Sequence, residues 1–212
     1  MKRLGCFVVL LLGVFAPAVA QTLEVSVLRG WARMSKAPLG SSSPESANDS
    51  DTTFRNGYTN GLRLTLNPHR YYGYELGYFQ TRVTLQTRIQ ATSDVPKQTY
   101  DSKVTLHQAF FDFLVYWMPK NERWRPYFAG GAQAQQSSNP HGIPGWTGVS
   151  TRNYGVNYGG GIKIKLFNHA LVRADLRQYL TGKPYGLNFP DSTFGGGRVR
   201  QEEASFGIAF GF

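Results

Sequence analysis

Gln201-Glu202-Glu203-Ala204-Ser205-Phe206-Gly207-Ile208-Ala209-Phe210-Gly211-Phe212 has a period of two. Ala204, Phe206, Ile208, Phe210 and Phe212 fall on one side, and Glu203, Ser205, Gly207, Ala209 and Gly211 on the other. Successive strand residues point to opposite faces, so the stretch reads as a strand with one wholly apolar face and one small or polar face. A membrane barrel has this pattern, because only every second residue meets lipid.

Seven further segments repeat it. The first, about Leu23 to Arg33, sets Leu23, Val25 and Val27 against Glu24, Ser26 and Gly30. The second, about Tyr58 to Leu66, sets Leu62, Leu64 and Leu66 against Gly61, Arg63 and Thr65; the third, from Tyr71, sets Tyr72, Tyr74, Leu76 and Tyr78 against Gly73, Glu75 and Gly77. The fourth ends with Ala109, Phe111, Phe113, Val115 and Trp117 outward against Gln108, Asp112 and Tyr116. The fifth, about Pro126 to Gln136, is too rich in glycine and alanine for its faces to be assigned. The sixth, about Tyr154 to Leu166, places Val156, Tyr158, Ile162 and Ile164 opposite Asn157, Gly159, Gly161, Lys163 and Lys165. The seventh, about Ala170 to Thr181, places Val172, Ala174, Leu176 and Leu180 opposite Arg173, Asp175, Arg177 and Tyr179. Long polar connections follow the odd-numbered strands and short ones, such as Asn67-Pro68-His69-Arg70, follow the even-numbered. The expected fold is all-β: an eight-stranded antiparallel up-and-down transmembrane β-barrel over 21–212, with long extracellular loops, short periplasmic turns and both mature termini in the periplasm of an outer membrane.

The lipid boundary is legible in the third strand. Beyond Tyr78 the outward parity turns polar, through Gln80, Arg82, Thr84, Gln86 and Arg88, while Val83, Leu85 and Ile89 take the inward one. The fourth strand mirrors it with Lys103, Thr105 and His107 before Ala109. The boundary is expected near Phe79 and His107.

Met1-Lys2-Arg3, an apolar run from Leu4 to Phe15 and Ala18-Val19-Ala20 read as a secretory signal over 1–20, cleaved before Gln21. The one cysteine, Cys6, falls within it, which leaves the mature chain without thiol chemistry. Of 23 basic residues Lys2 and Arg3 leave with the signal, so 21 face 13 acidic ones. They are scattered over strands rather than run together, which favours lipopolysaccharide and phospholipid phosphates over nucleic acid as partner.

By parity Glu24, Glu75, Asp112, Asp175 and Glu203 point inward with Arg63, Lys163, Lys165, Arg173 and Arg177, five of each sign. Charge inside so narrow a barrel must be paired or hydrated. Eight strands leave an interior filled by side chains, so mutual neutralisation in a plugged lumen is the plain expectation and a narrow ion path the rival. Tyr72, Tyr74, Trp117, Trp124, Phe210 and Phe212 read as an interfacial girdle. Trp31 and Trp146 read as girdle or loop packing rather than a stacking platform for sugar or nucleic acid.

Arg125-Pro126-Tyr127-Phe128-Ala129-Gly130-Gly131-Ala132, Ala170 to Tyr179 and the terminus Phe206 to Phe212 resemble the small eight-stranded outer-membrane barrels typified by the transmembrane domain of outer-membrane protein A. The resemblance implies that Phe206, Ile208, Phe210 and Phe212 form the signal read by the barrel-assembly machinery. It further implies that the inward charges form a lumen network limiting ion passage. The sequence stops at Phe212, and the peptidoglycan-binding domain of the namesake is not part of it.

No enzyme of this class is spelled out. Serine needs an adjacent base to become nucleophilic, and none of His69, His107, His141 or His169 is followed two residues later by Ser, the pair used by lipid A-trimming barrels. Asp49-Ser50-Asp51 lacks the Asp-x-His partner of an outer-membrane protease and reads as a solvated loop. Four dispersed histidines give no metal spacing, and no cofactor is expected. The functional expectation is a structural or surface-interaction barrel acting through loops that contact an extracellular ligand. The alternative is a barrel enzyme acting on lipid A or peptides.

Overall fold

The computed structural model describes residues 23–40, 51–89, 98–120, 122–144, 146, 148–187 and 198–212. The signal read over 1–20 lies outside them. Among the described residues every regular element is a strand: β1 (Leu23–Met34), β2 (Asp51–Phe54), β3 (Gly57–Leu66), β4 (Tyr72–Ile89), β5 (Gln98–Tyr116), β6 (Trp124–Ser137), β7 (Arg152–Lys165), β8 (Ala170–Gly182) and β9 (Arg198–Gly211).

Each long strand pairs antiparallel with its neighbour in sequence, and β1 also pairs with β9, from Glu24 opposite Gly211 to Met34 opposite Gln201. That seam closes eight strands into a barrel. The register fixes its stagger. From Glu24 the ladder passes through Thr65, Glu75, Asp112, Gly131, Asn157, Tyr179 and Gln201 and returns to β1 at Met34, ten residues further on. A stagger of this kind goes with strands tilted by roughly 35–45° to the barrel axis.

The element with no counterpart in the sequence reading is β2, which opens at Asp51 in the segment read as solvated loop. It pairs with β4 in line with β3, Phe54 opposite Leu85 and Tyr58 opposite Arg82. One side thus carries one more residue than the other between these pairs, a β-bulge at Arg55-Asn56, where the Arg55 N–H donates to the Thr84 carbonyl at 2.8 Å.

The parity read from sequence is the parity of the wall. On β4, Tyr72, Tyr74, Leu76 and Tyr78 are exposed, while Gly73, Glu75, Gly77 and Phe79 are buried. The alternation continues past the lipid boundary expected near Phe79, with Arg82 exposed and Thr81, Val83 and Leu85 buried, and ends where Gln86, of the outward parity, is buried as well. On β6, unassigned from sequence, Phe128 and Ala132 point out, and Arg125, Tyr127, Gln133 and Gln135 point in.

Candidate functional site

The lumen is organised in layers that start at the end carrying the short connections after β3, β5 and β7. Lowest lie Glu24, Lys163, Tyr116, Asn67 and Arg125. The Lys163 ammonium donates to Glu24 and, at 3.0 Å, to the Tyr116 hydroxyl; the Asn67 amide donates to the other Glu24 oxygen at 2.7 Å. The Arg125 guanidinium lies over the Tyr116 ring at 3.7 Å from its centroid and donates to the Arg70 carbonyl at 3.2 Å.

Above it, three arginines and four carboxylates form one cluster, their side chains 0% exposed in every ion pair among them. Glu75 is the hub. Its Oε1 accepts from Arg177 at 3.0 Å and Arg63 at 3.3 Å, and its Oε2 accepts from Thr65 at 2.8 Å and Arg173 at 2.9 Å. Asp175 accepts from Arg63 at 2.8 Å and from Arg173 Nε at 2.9 Å. The Tyr127 hydroxyl links the two, accepting from Arg173 at 2.6 Å and donating to Asp175. Glu75 and Asp112 stand directly opposite each other on β4 and β5, an arrangement that like charges disfavour. Arg177 resolves it by donating to both carboxylates, and Asn157 donates to Asp112 at 2.7 Å. Arg63 reaches Glu203 at 3.4 Å.

Room for these side chains comes from inward glycines. A Cβ at Gly77 would stand 2.1 Å from the Phe110 ring, and one at Gly161 2.7 Å from the Tyr127 hydroxyl. Alternating small and large residues is how a small barrel fills its interior.

Next come Leu28, Phe79, Phe110 and Tyr179, with the Arg63 guanidinium 4.9 Å from the Phe79 centroid. A layer of neutral amides and hydroxyls follows, in which Gln108 donates to Gln201 at 3.0 Å and to Gln135 at 3.1 Å, and Thr81 to Thr59 at 3.0 Å. Beyond the lipid boundary an apolar cluster closes the loop end. Val83, Leu85, Val104, Leu106 and Val199 of the extended strands pack with Met34, Leu39, Phe54, Ile143, Tyr185 and Leu187. Trp146 meets Tyr185 edge-on at 5.2 Å, so it is packed loop rather than a platform, whereas Trp31 is 44% exposed on the outer wall. The Tyr185 hydroxyl donates to the Ser138 carbonyl at 2.7 Å, and burial pushes its pKa above the ordinary value.

Nine of the ten inward charges read by parity stand in these layers. Lys165 is the exception. It is exposed at the turn end of β7, because parity assigns a face and not a height, and its residue lies past the last filled layer. The buried cation that sequence reasoning missed is Arg125, together with Tyr127; both lie on β6. Phe206, Ile208, Phe210 and Phe212 lie along the outer wall, 51–60% exposed. The histidines serve as contacts: His107 Nδ1 shares a hydrogen bond of 2.7 Å with Tyr78 at the lipid boundary, and His169 Nδ1 lies 3.1 Å from the Gly211 carbonyl.

Past that boundary the outer wall is basic. Among the described residues Arg33, Arg55, Arg82, Arg88, Lys103, Arg152, Arg198 and Arg200 are exposed there, against Asp101 and half-buried Glu202, which pairs with Arg200 at 2.6 Å.

Curated protein sequences give no match. The outer membrane protein OprG of Pseudomonas aeruginosa has a solved structure similar to this one, 14% identical, with a TM-score of 0.61 over 91% of this chain and 97% of that one. Neisserial surface protein A is 15% identical, with a TM-score of 0.60 over 90% and 97%. The N-terminal β-barrel domain of P. aeruginosa OprF is 14% identical, with a TM-score of 0.51 over 89% and 97%. At such identities the likeness is one of fold. The family model for the outer membrane protein beta-barrel domain matches residues 6–212, and the chain belongs to that family.

Proposed function

We propose that this barrel is closed to ions and acts through its surface, as a structural and interaction element of the outer membrane. The observation that carries this reading is the succession of layers: a buried, cross-linked charge cluster is followed by a neutral polar layer and then an apolar cap of buried side chains. An ion would have to break several charge-assisted bonds and then cross an apolar plug. The long loops and the basic collar face outward, with both mature termini at the periplasmic turn end. The collar suits the phosphates of lipopolysaccharide, and the loops an extracellular ligand. Neither role needs a cofactor or catalytic group. The exposed Phe206, Ile208, Phe210 and Phe212 offer the barrel-assembly machinery its signal.

In planar bilayers the purified protein is expected to give no stable current steps, and a steady single-channel conductance would overturn the closed-lumen reading. Orientation has its own check. On intact cells, Val149→Cys, at a position 68% exposed at the loop end, is expected to react with a membrane-impermeant thiol reagent, whereas Asn168→Cys reacts only after the outer membrane is permeabilised.

A further inference from the structure

One part of the outer wall is not smooth. On β7, β8 and β9 the outward positions Gly160, Ala174 and Ala204 are small, while Phe128, Leu176 and Phe206 around them are large. They enclose a groove of about 700 Å³. Because the strands tilt, each step across the ladder climbs, so the groove rises from Trp117 in the turn after β5 to Arg29 on β1. A second hollow of about 420 Å³ shares Leu176 and Ala204 with it and leads on to Gln178 and to Arg33, which lies 3.9 Å from the half-buried Glu202 carboxylate.

Arg29 is the anomaly. It lies on the outward, lipid-facing parity of β1 between Val27 and Trp31, with Phe206 and Asn60 as its register partners. It is exposed, and among the described residues no side chain pairs with it. A basic residue on the lipid face is tolerated near the interface, where its long stem lies along apolar surface and its head reaches polar groups. An apolar groove with one unpaired cation at its outer end is complementary to an amphiphile whose anionic head sits above its tail.

Resting on the orientation proposed above, we infer that this groove seats one lipid A molecule of the outer leaflet. One acyl chain lies over Gly160, Ala174 and Ala204, and a phosphate pairs with Arg29. Arg33 and Gln178 face the rest of the headgroup. Lipid A is the occupant because Arg29 stands at the loop end of the groove, the side turned to the outer leaflet.

The test is native mass spectrometry of the refolded full-length mature barrel in neutral detergent, with added lipid A, phosphatidylglycerol or phosphatidylcholine. One lipid A per barrel is expected to be retained, well above either phospholipid. Arg29→Gln is expected to weaken retention about fivefold, the worth of one basic contact to an anionic headgroup. Ala174→Phe, which fills the groove, is expected to abolish retention, and Ala132→Phe on the β6 wall to leave it unchanged. A heat-dependent shift in gel mobility verifies that each variant is folded. Equal retention of lipid A by wild type, Arg29→Gln and Ala174→Phe would overturn the seat, as would retention of phosphatidylglycerol as strong as that of lipid A. The thiol-labelling experiment reports orientation separately, so an inverted barrel and an empty groove give different results.

Discussion

The two halves of β4 obey one geometric rule and opposite chemistry. Near the turn end Glu75 and Gly77 point in while Tyr74 and Leu76 point out; near the loop end Val83 and Leu85 point in while Arg82 and Thr84 point out. The strand is continuous over Tyr72–Ile89 and its burial alternates from Tyr72 as far as Leu85, so what changes along that stretch is the surrounding medium. Where lipid surrounds the wall, the contrast needed to fix the register comes from charge gathered inside. Where water surrounds it, the same contrast comes from an apolar interior. A barrel can therefore carry a charge cluster and an apolar core on one sheet.

The charge half should be the more sensitive to a single deletion. Glu75→Ala leaves three buried arginines short of their common acceptor and is expected to cost about 3–5 kcal/mol, as breaking a buried pair does. Reversible urea unfolding from lipid vesicles measures it, and a loss no larger than that of an exposed surface change would show the cluster to be hydrated. On the outer wall of the same half, Leu64→Arg puts a cation in the middle of the Leu62–Leu66 apolar face and is expected to cost about 2–4 kcal/mol by the same assay. The reciprocal change beyond the boundary, Arg82→Leu, is expected to stay within about 0.5 kcal/mol, because it alters a water-facing position. If Leu64→Arg and Arg82→Leu cost the same, the lipid boundary does not lie between them.

Most of this contrast was readable in the residues. Eight strands, their faces and the inversion after Tyr78 follow from the period-two signal, which is strong wherever large apolar residues alternate with polar ones. It is absent from β6, whose outward Gly130, Ala132 and Ala134 are as small as inward Ala129 and Gly131, so the sequence pattern does not place Arg125 and Tyr127. The exchange of Lys165 for Arg125 among the buried cations has a related cause, since height along the axis depends on stagger between strands and no single segment encodes it. β2 escaped because Asp51-Thr52-Thr53-Phe54 is polar and too short to show a period. It is held by the extension of β4 beside it. The partnerships within the cluster, such as Arg63 with Asp175, join strands that are not neighbours in the sheet, and only closure brings them together.

The seam between β1 and β9 has a consequence for how the molecule is made. Glu24 and Gly211, its lowest pair, belong to the first and last strands of the barrel, so the contact that completes the ladder must wait until every strand between them has been made. Until then two strand edges stand with unsatisfied N–H and carbonyl groups, which hydrocarbon does not forgive. A search over so long a loop is slow. The arginine and carboxylate side chains would meanwhile be exposed without their cross-barrel partners. Insertion, closure and neutralisation of the lumen are thus tied to one late event, and a nascent barrel must be sheltered up to that moment.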